Sequence, residues 1–246
     1  MSKNIAVIIC AAGVSRRFGG NRNKAFVDCK GRAVFLHSVE LFTDHSDVKQ
    51  VLLGISKEDE ELVNVKWGPN LKFFGVKTFI GGAERFDTVK NGLELIKDDI
   101  DFAAVHDAAR CCVTKEWVYV CFSAVAKDGA AILASRVVPT IKRVEDNAII
   151  ETVDRSGLWE AQTPQVFEVG LLRKAYENPE NLDKGNISDD AQLVEALGGK
   201  VTIVEADASN IKITRKSDVA IAEAIIKSRP KPGAKGPAGP YAEAQW

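Results

Sequence analysis

Apolar and polar positions alternate along this chain with two different periods. Short apolar runs of strand length lie at 5–9, 48–55, 76–80, 101–106, 130–138 and 200–205, and segments of helical period lie at 33–43, 57–65, 84–97, 115–127, 168–177, 188–197 and 216–228. This alternation predicts an α/β fold with a doubly wound, mainly parallel, Rossmann-like sheet covered by helices on both faces. Ligands of such sheets bind beyond the carboxyl ends of the strands, so the loops after 5–9 and 101–106 are candidate sites.

The alternation breaks between 139 and 165, where short β-prone pieces surround the turn sequence EDN. We interpret this segment as a protruding β-hairpin arm. The last residues, 229–246, are rich in proline and glycine and poor in large apolar groups, which predicts a disordered tail. Residues 1–228, with the arm included, are therefore predicted to form a single domain.

Composition limits the classes of partner. The chain has 246 residues and a formal net charge of −1, so we expect neither nucleic acid nor a membrane as a partner. The five cysteines are odd in number and lack metal-binding spacing, which predicts reduced thiols in the core. Because the apolar run at 5–9 is too short for a signal peptide or a membrane span, we expect a cytoplasmic protein.

The loop sequence CAAGVSRRFGGNRNKAF follows the first predicted strand and contains three glycines, three arginines and a lysine. Glycine lets backbone amides approach an anion closely. The loop does not match the Walker pattern, because Ala25 follows Lys24, nor the dinucleotide pattern GxGxxG, because Ser15 stands at the second glycine. Either it is a solvated basic loop, or its cations bind a nucleoside triphosphate.

The sequence GGAERFDTV places a Gly-Gly turn before an amphipathic helix. Arg85 and Thr88 lie in the first turn of that helix, where backbone amides favour a base edge, a ribose or a phosphate. An ordinary turn has the same pattern, so both interpretations stay open here.

The sequence VHDAAR places polar residues where a buried strand ends. Asp107 can hold a divalent metal through its carboxylate, and Arg110 can meet a second anion. His106 is predicted to be a packed, hydrogen-bonding histidine instead of a catalytic group.

Six motifs occur together along the chain: AAGVSRRFGGNRNKAF, GGAERFDTV, VHDAAR, TVDRSGLWEAQTPQVF, SDDAQLVEALG and NIKITR. In this order and spacing they resemble the 2-C-methyl-D-erythritol 4-phosphate cytidylyltransferase family, a group of nucleotidyltransferases of the non-mevalonate isoprenoid pathway. The resemblance extends over about residues 4–228. It implies transfer of CMP from CTP to 2-C-methyl-D-erythritol 4-phosphate, with pyrophosphate as the second product. It also implies Mg²⁺ as cofactor and a homodimer whose arms clasp.

Carried over by position, the resemblance implies roles for individual residues. The catalytic cations are Arg17, Lys24 and Lys212. The nucleotide is bound by Ala11, Ala12, Gly13, Ser15, Gly82, Ala83, Thr88 and Asp107. The methylerythritol phosphate is bound by Asp107, Arg110, Thr140, Arg155 and Thr163, with Thr140 and Arg155 reaching the site of the partner chain. Asp107 also lies beside the Mg²⁺ ion.

The chain departs from the family's common residues at five positions. Ser15 replaces a glycine, Asn23 and Ala25 replace Pro and Gln, Ala83 replaces Asp, and Cys111 replaces Pro. The departures remove no charge that the chemistry needs, so they bear on loop geometry. Two alternatives stay open: a cytidylyltransferase for ribitol 5-phosphate or another polyol phosphate, and a nucleotide-binding domain without catalysis.

Overall fold

The computed structural model of the chain describes residues 3–15, 17–19, 23–177 and 187–229. The strands are β1 (Ile5–Cys10), β2 (Asp28–Cys29), β3 (Arg32–Ala33), β4 (Val48–Ile55), β5 (Lys77–Ile80), β6 (Phe102–Asp107), β7 (Ala130–Arg136), β8 (Ile141–Glu145), β9 (Ala148–Val153), β10 (Trp159–Glu168) and β11 (Thr202–Glu205). The helices are α1 (Val34–Thr43), α2 (Glu60–Phe73), α3 (Arg85–Leu93), α4 (Lys115–Asp128), α5 (Val169–Glu177), α6 (Ala191–Ala196) and α7 (Ser217–Ser228). The predicted tail lies outside the described residues, apart from Arg229.

Seven strands form one sheet in the order β11-β7-β10-β6-β1-β4-β5. β10 is antiparallel to both of its neighbours, and the other four strand pairs are parallel. The predicted doubly wound, mainly parallel fold is therefore confirmed. Cys10 at the end of β1 pairs with Gly54 of β4 and with Asp107 of β6, so the loops after these strands leave one edge of the sheet.

The central strand β1 is buried on both faces, as its uninterrupted apolar run predicts. Ile5, Val7 and Ile9 belong to the hydrophobic cluster that includes α1, α2 and α4. Ala6 and Ile8 belong to the cluster on the opposite face, with α3 and α5. Burying each large aliphatic side chain contributes about 1.5–3 kcal/mol, so the end of β1 is a rigid support for the loop that follows.

Helix α2 is longer than the predicted segment at 57–65, since it continues through Pro69 to Phe73. The Gly-Pro pair at 68–69 is typical of a turn in sequence. In the structure, however, Trp67 and Leu71 are buried, and the Trp67 ring lies 5.5 Å from that of Phe26. This packing compensates for the backbone hydrogen bond that a proline cannot donate.

The arm is shorter than predicted. Strands β8 and β9 form a separate two-stranded hairpin whose turn residues Asp146 and Asn147 have φ values of 46° and 63°. Residues 159–165, which we assigned to the arm, belong instead to β10 of the main sheet. Polar side chains concealed this strand, because Gln162 and Gln165 are buried there with hydrogen-bond partners.

All five cysteines are free thiols, as their number and spacing predict. Burial raises the pKa of the Cys121 thiol, so this residue stays protonated and packs as a small apolar side chain. Within the described ranges, no helix is both long enough and apolar enough to cross a membrane.

Candidate active site

A cleft opens at the carboxyl ends of β1 and β6, between the loop after β1 and the turn before α3. Nine of the residues to which the resemblance assigns a role line it: Ala11, Ala12, Gly13, Lys24, Gly82, Ala83, Thr88, Asp107 and Lys212. These residues come from four separate segments of the chain. The position of the cleft agrees with the rule that ligands bind beyond the carboxyl ends of parallel strands.

Asn23 holds the loop after β1 in shape. Its Nδ2 donates to the Ala11 carbonyl at 2.6 Å and to Asp59 Oδ2 at 3.2 Å. Its Oδ1 accepts from the backbone N–H of Ala25 at 3.1 Å and from Ser15 Oγ at 3.2 Å. The sequence showed Asn23 only as a departure from the family, whereas the structure places it at the centre of the loop's hydrogen bonds.

Ser15 has a φ of 52°, in the left-handed region that favours glycine. A glycine is what the family commonly has at this position. The serine hydroxyl offsets part of the conformational cost, because its Oγ accepts a hydrogen bond from the backbone N–H of Lys24 at 3.1 Å. This departure therefore retains the turn and adds a bond to the segment that carries Lys24.

Lys24 lies among other cations. Burial is the main reason why the pKa of its ammonium group falls to about 8; the neighbouring charges of Lys212 and Arg17 act in the same direction, and Asp107 opposes the shift. Arg17 is exposed at the loop surface and does not line the cleft. Positive groups at close range favour an anionic ligand, since a bound anion relieves their mutual repulsion.

Asp107, at the end of β6, carries negative charge in the cleft. Its Oδ1 lies 3.0 Å from Arg85 Nε, and its Oδ2 lies 2.6 Å from Lys212 Nζ. Burial alone would raise the pKa of this carboxyl, but the two cations outweigh burial and hold the pKa well below its usual range. Asp107 is therefore ionised throughout the neutral pH range.

Arg85 and Asp190 form an ion pair that the sequence did not identify. Arg85 Nη2 lies 2.7 Å from Asp190 Oδ2, and Tyr176 donates its hydroxyl hydrogen to Asp190 Oδ1 at 2.6 Å. Arg85 was a candidate for direct contact with a ligand, but two of its nitrogens pair with carboxylates. Motif letters cannot reveal such a pair, because 105 residues of sequence separate its members.

The Gly-Gly turn before α3 requires its glycines for close packing. A Cβ on Gly81 would lie 2.6 Å from the Ala12 Cβ, and one on Gly82 would lie 2.1 Å from the Asp87 Cβ. The Gly82 N–H donates to Thr88 Oγ1 at 3.1 Å. These contacts bring the turn against the loop after β1 and close one side of the cleft.

Arg110 and Thr163 lie beneath the cleft and do not line it. Arg110 is buried and donates to the carbonyls of Asn210 at 2.6 Å and Ala161 at 3.3 Å. Thr163 Oγ1 accepts from the backbone N–H of Asp107 at 3.0 Å. Thr163 therefore supports the strand end that carries Asp107, and Arg110 joins the backbone at Asn210 to that at Ala161.

Thr140 and Arg155 lie on the arm, exposed and outside the set of residues that line the cleft. Arg155 donates a hydrogen bond to the carbonyl of Val138 in the same arm. The structure of one chain therefore does not bring these two predicted residues to Asp107.

His106 is a packed histidine, as predicted. Its ring nitrogens lie 3.1 Å from Ser38 Oγ and 3.1 Å from Thr163 Oγ1, and the residue is fully buried. Burial lowers the pKa of the imidazole to about 3, so the ring is neutral. It orients Thr163 beneath Asp107 and carries no charge that a reaction could use.

Asp107 is the candidate ligand for a magnesium ion. No group of three or more His, Cys, Asp or Glu side chains in the described part of the chain could hold a metal. Magnesium typically takes only one or two carboxylates and completes its shell with substrate phosphates and water. A buried, ionised Asp107 fits that type of site, provided that a phosphate ligand is bound beside it.

Comparison with known families agrees with the geometry. A family model described as IspD, 2-C-methyl-D-erythritol 4-phosphate cytidylyltransferase, matches residues 5–228. The chain is 42% identical over 224 residues to the protein of that name from Endomicrobium trichonymphae, covering 91% of this chain and 99% of the relative. It is 40% identical over 228 residues to the one from Bacillus velezensis, covering 90% and 95%.

Solved structures to which this chain is similar carry names of the same kind. The 2-C-methyl-D-erythritol 4-phosphate cytidylyltransferase from Thermus thermophilus superposes with a TM-score of 0.75 at 33% identity, over 91% of this chain and 99% of that one. The 4-diphosphocytidyl-2C-methyl-D-erythritol synthase from Anaerococcus prevotii superposes with a TM-score of 0.78 at 26% identity, over 92% and 100%.

Proposed function

The chain belongs to the 2-C-methyl-D-erythritol 4-phosphate cytidylyltransferase family, and from this membership we propose how its cleft performs the family's reaction. It transfers CMP from CTP to 2-C-methyl-D-erythritol 4-phosphate, giving 4-diphosphocytidyl-2-C-methyl-D-erythritol and pyrophosphate. The observation that carries the mechanism is the grouping of Lys24, Lys212 and Arg85 with the buried carboxylate of Asp107.

Charge stabilisation is the principal task of this site. A phosphate oxygen of the acceptor attacks the α-phosphorus of CTP, and the bond from that phosphorus to the β-phosphate oxygen breaks to release pyrophosphate. The attacking phosphate is ionised at neutral pH, so the reaction needs no general base. Lys24 and Arg17 stabilise the charge that develops on the α-phosphoryl oxygens, and Lys212 binds the triphosphate.

Nucleotide binding uses the two loops that face each other across the cleft. Backbone amides of Ala12, Gly13 and Ser15 surround the phosphates, because small side chains at 11–13 let the main chain approach closely. Ala11, whose own N–H donates to the Gly54 carbonyl at 2.8 Å, lines the phosphate side of the cleft. Gly82, Ala83 and Thr88 line the side of the cleft that receives the ribose and the cytosine. Ala83 offers no carboxylate to the base at this position.

The divalent cation proposed for this reaction is Mg²⁺, held by Asp107 and by the phosphates. The ion would neutralise phosphate charge when it is bound there. Arg85 and Lys212 keep Asp107 ionised, and Thr163 fixes the backbone beside it.

Homodimerisation is the proposed function of the arm. Val144, Ile149 and Ile150 are each more than half exposed, and an isolated two-stranded ribbon is marginally stable in water. Packing against a second copy buries these side chains and brings Thr140 and Arg155 to the partner's acceptor phosphate. The cytoplasm is the proposed location, where CTP and phosphorylated sugars are available.

A direct assay tests this function. The purified chain is mixed with CTP, Mg²⁺ and either 2-C-methyl-D-erythritol 4-phosphate or ribitol 5-phosphate, and pyrophosphate release is followed. We expect rapid release with the first acceptor and little with the second. Faster release with ribitol 5-phosphate would assign a different acceptor, and no release with either acceptor would indicate a binding domain without catalysis.

A further inference from the structure

Arg85 is held between two carboxylates. Its Nε lies 3.0 Å from Asp107 Oδ1, and its Nη2 lies 2.7 Å from Asp190 Oδ2. Both carboxylates are almost fully buried, whereas the Arg85 side chain is 25% exposed. The planar guanidinium can contact two acids in fixed directions, which a lysine ammonium cannot do with the same geometry.

Asp190 is itself held by neighbours that lie away from the cleft. Tyr176 donates to its Oδ1 at 2.6 Å, and Gln165 Oε1 accepts from its backbone N–H at 3.0 Å. Asp190 does not line the cleft. It therefore contacts neither substrate, and its effect on the reaction must pass through Arg85.

Asp107 divides its charge between Arg85 and Lys212. Because Arg85 occupies Oδ1, only Oδ2 faces Lys212 Nζ, at 2.6 Å. Without Arg85, a buried carboxylate would depend on Lys212 for its main compensation, since Arg110 Nε lies 3.9 Å away. Lys212 would then be held more strongly by Asp107 and would be less available to a phosphate.

We propose that Arg85, fixed by Asp190, is a positioning residue that neutralises one side of Asp107 and thereby leaves Lys212 available for the CTP phosphates. This proposal rests on the proposed function, because it assigns Lys212 to the triphosphate. It separates two roles among the basic residues of the cleft: Lys24 and Lys212 contact the nucleotide, whereas Arg85 acts through Asp107.

The test is a double-mutant cycle on CTP binding, measured by titration calorimetry in EDTA so that no metal contributes. Arg85→Gln should weaken CTP binding about tenfold when Asp107 is present, and by no more than about twofold in the Asp107→Asn background. A purely structural role for Arg85, or a general loss of positive charge, gives the same factor in both backgrounds and would overturn the proposal.

Two further variants keep the test decisive if Arg85→Gln fails to fold. Arg85→Gln combined with Asp190→Asn removes a cation and a buried anion together, and its effect on CTP binding should show the same dependence on Asp107.

Arg173→Gln is the matched control, because Arg173 donates to the carbonyls of Leu93 and Ile96 at the other end of α3. We expect the control to bind CTP like the wild type. Failure of the wild type to bind CTP even after Mg²⁺ is restored would contradict the proposed function instead.

Discussion

The cleft and the arm differ in whether the side chains find their partners within one chain. In the cleft, buried charges have partners within the chain: Asp107 pairs with Arg85 and Lys212, and Arg85 also pairs with Asp190. On the arm, Ile149 is 64% exposed, and the ion pair between Arg143 and Glu151 lies at the surface. A single chain can therefore preorganise its nucleotide cleft, whereas it leaves apolar side chains of the arm exposed.

The largest effect should come from the two cations that the proposed mechanism assigns to the α-phosphoryl oxygens. Lys24→Ala and Arg17→Ala should each lower the turnover number by about a hundredfold or more, because each removes a positive charge that stabilises these oxygens in the transition state. Steady-state kinetics at saturating CTP measure this loss. Lys90→Ala, an exposed lysine on α3, is the control and should keep normal turnover. Near-normal turnover in either the Lys24 or the Arg17 variant would remove that residue from the mechanism.

The next effect tests whether the arm completes the cleft of a partner. Lys24→Ala and Arg155→Ala chains, each nearly inactive, are denatured together and refolded. Random pairing makes about half of the dimers mixed, and one of the two sites in each mixed dimer has both residues intact. We therefore expect about a quarter of the activity of wild-type chains treated in the same way.

A cis arrangement predicts a different outcome for that mixture. If Arg155 served its own chain, every site in a mixed dimer would lack one of the two residues. Heterodimers confirmed by differential tags, yet as inactive as the parent proteins, would therefore contradict a site shared between two chains.

The pH dependence of activity should follow the titration of a cleft residue, Lys24, and not of a residue on the arm. Lys24, with its pKa lowered to about 8, is charged below that pH and neutral above it. The kcat/KM for CTP should therefore fall above pH 8, by about tenfold per pH unit, as the charged form of the free enzyme disappears. Lys24→Arg should lose this fall, because an arginine stays charged. A wild-type profile that is flat to pH 9.5 would contradict the role of Lys24.

The periodicity of the sequence predicted those strands and helices whose buried positions are apolar. The run at 5–9 predicted β1 because a central parallel strand is buried on both faces. The failures share one cause, since tertiary packing overrode local signals. Trp67 and Leu71 carry α2 past a Gly-Pro pair, and the buried Gln162 and Gln165 concealed β10.

The residues of the candidate site fall into the same two groups: those with a local sequence signal and those placed by tertiary contacts. Loop glycines and the strand-end Asp107 could be located from sequence, because backbone approach and strand termini have local signatures. The pairing of Arg85 with Asp190 could not, because a contact across 105 residues has no local pattern. Nor does sequence distinguish an arginine open to a ligand from Arg110, whose guanidinium is buried against two carbonyls.

The smallest effect compares two strained turns, one in each region. Ser15 in the cleft loop and Asn147 in the arm turn both have positive φ, at 52° and 63°. Asn147→Gly should stabilise the fold by a few tenths of a kcal/mol, since glycine suits this turn and the asparagine side chain makes no hydrogen bond to the described residues that would offset the gain. Ser15→Gly should leave stability nearly unchanged, because the relief of about 1 kcal/mol is offset by loss of the bond to the Lys24 N–H. Ser15→Ala, which keeps the strain and loses the hydroxyl, should have the lowest melting temperature of these variants.

Turnover should distinguish the same two turns. Ser15→Gly should turn over a few times more slowly than the wild type, while Asn147→Gly keeps normal turnover. If Ser15→Gly were as active as the wild type and as stabilised as Asn147→Gly, the hydroxyl would contribute nothing to the placement of Lys24, and the cleft loop would be no more specialised than the turn of the arm.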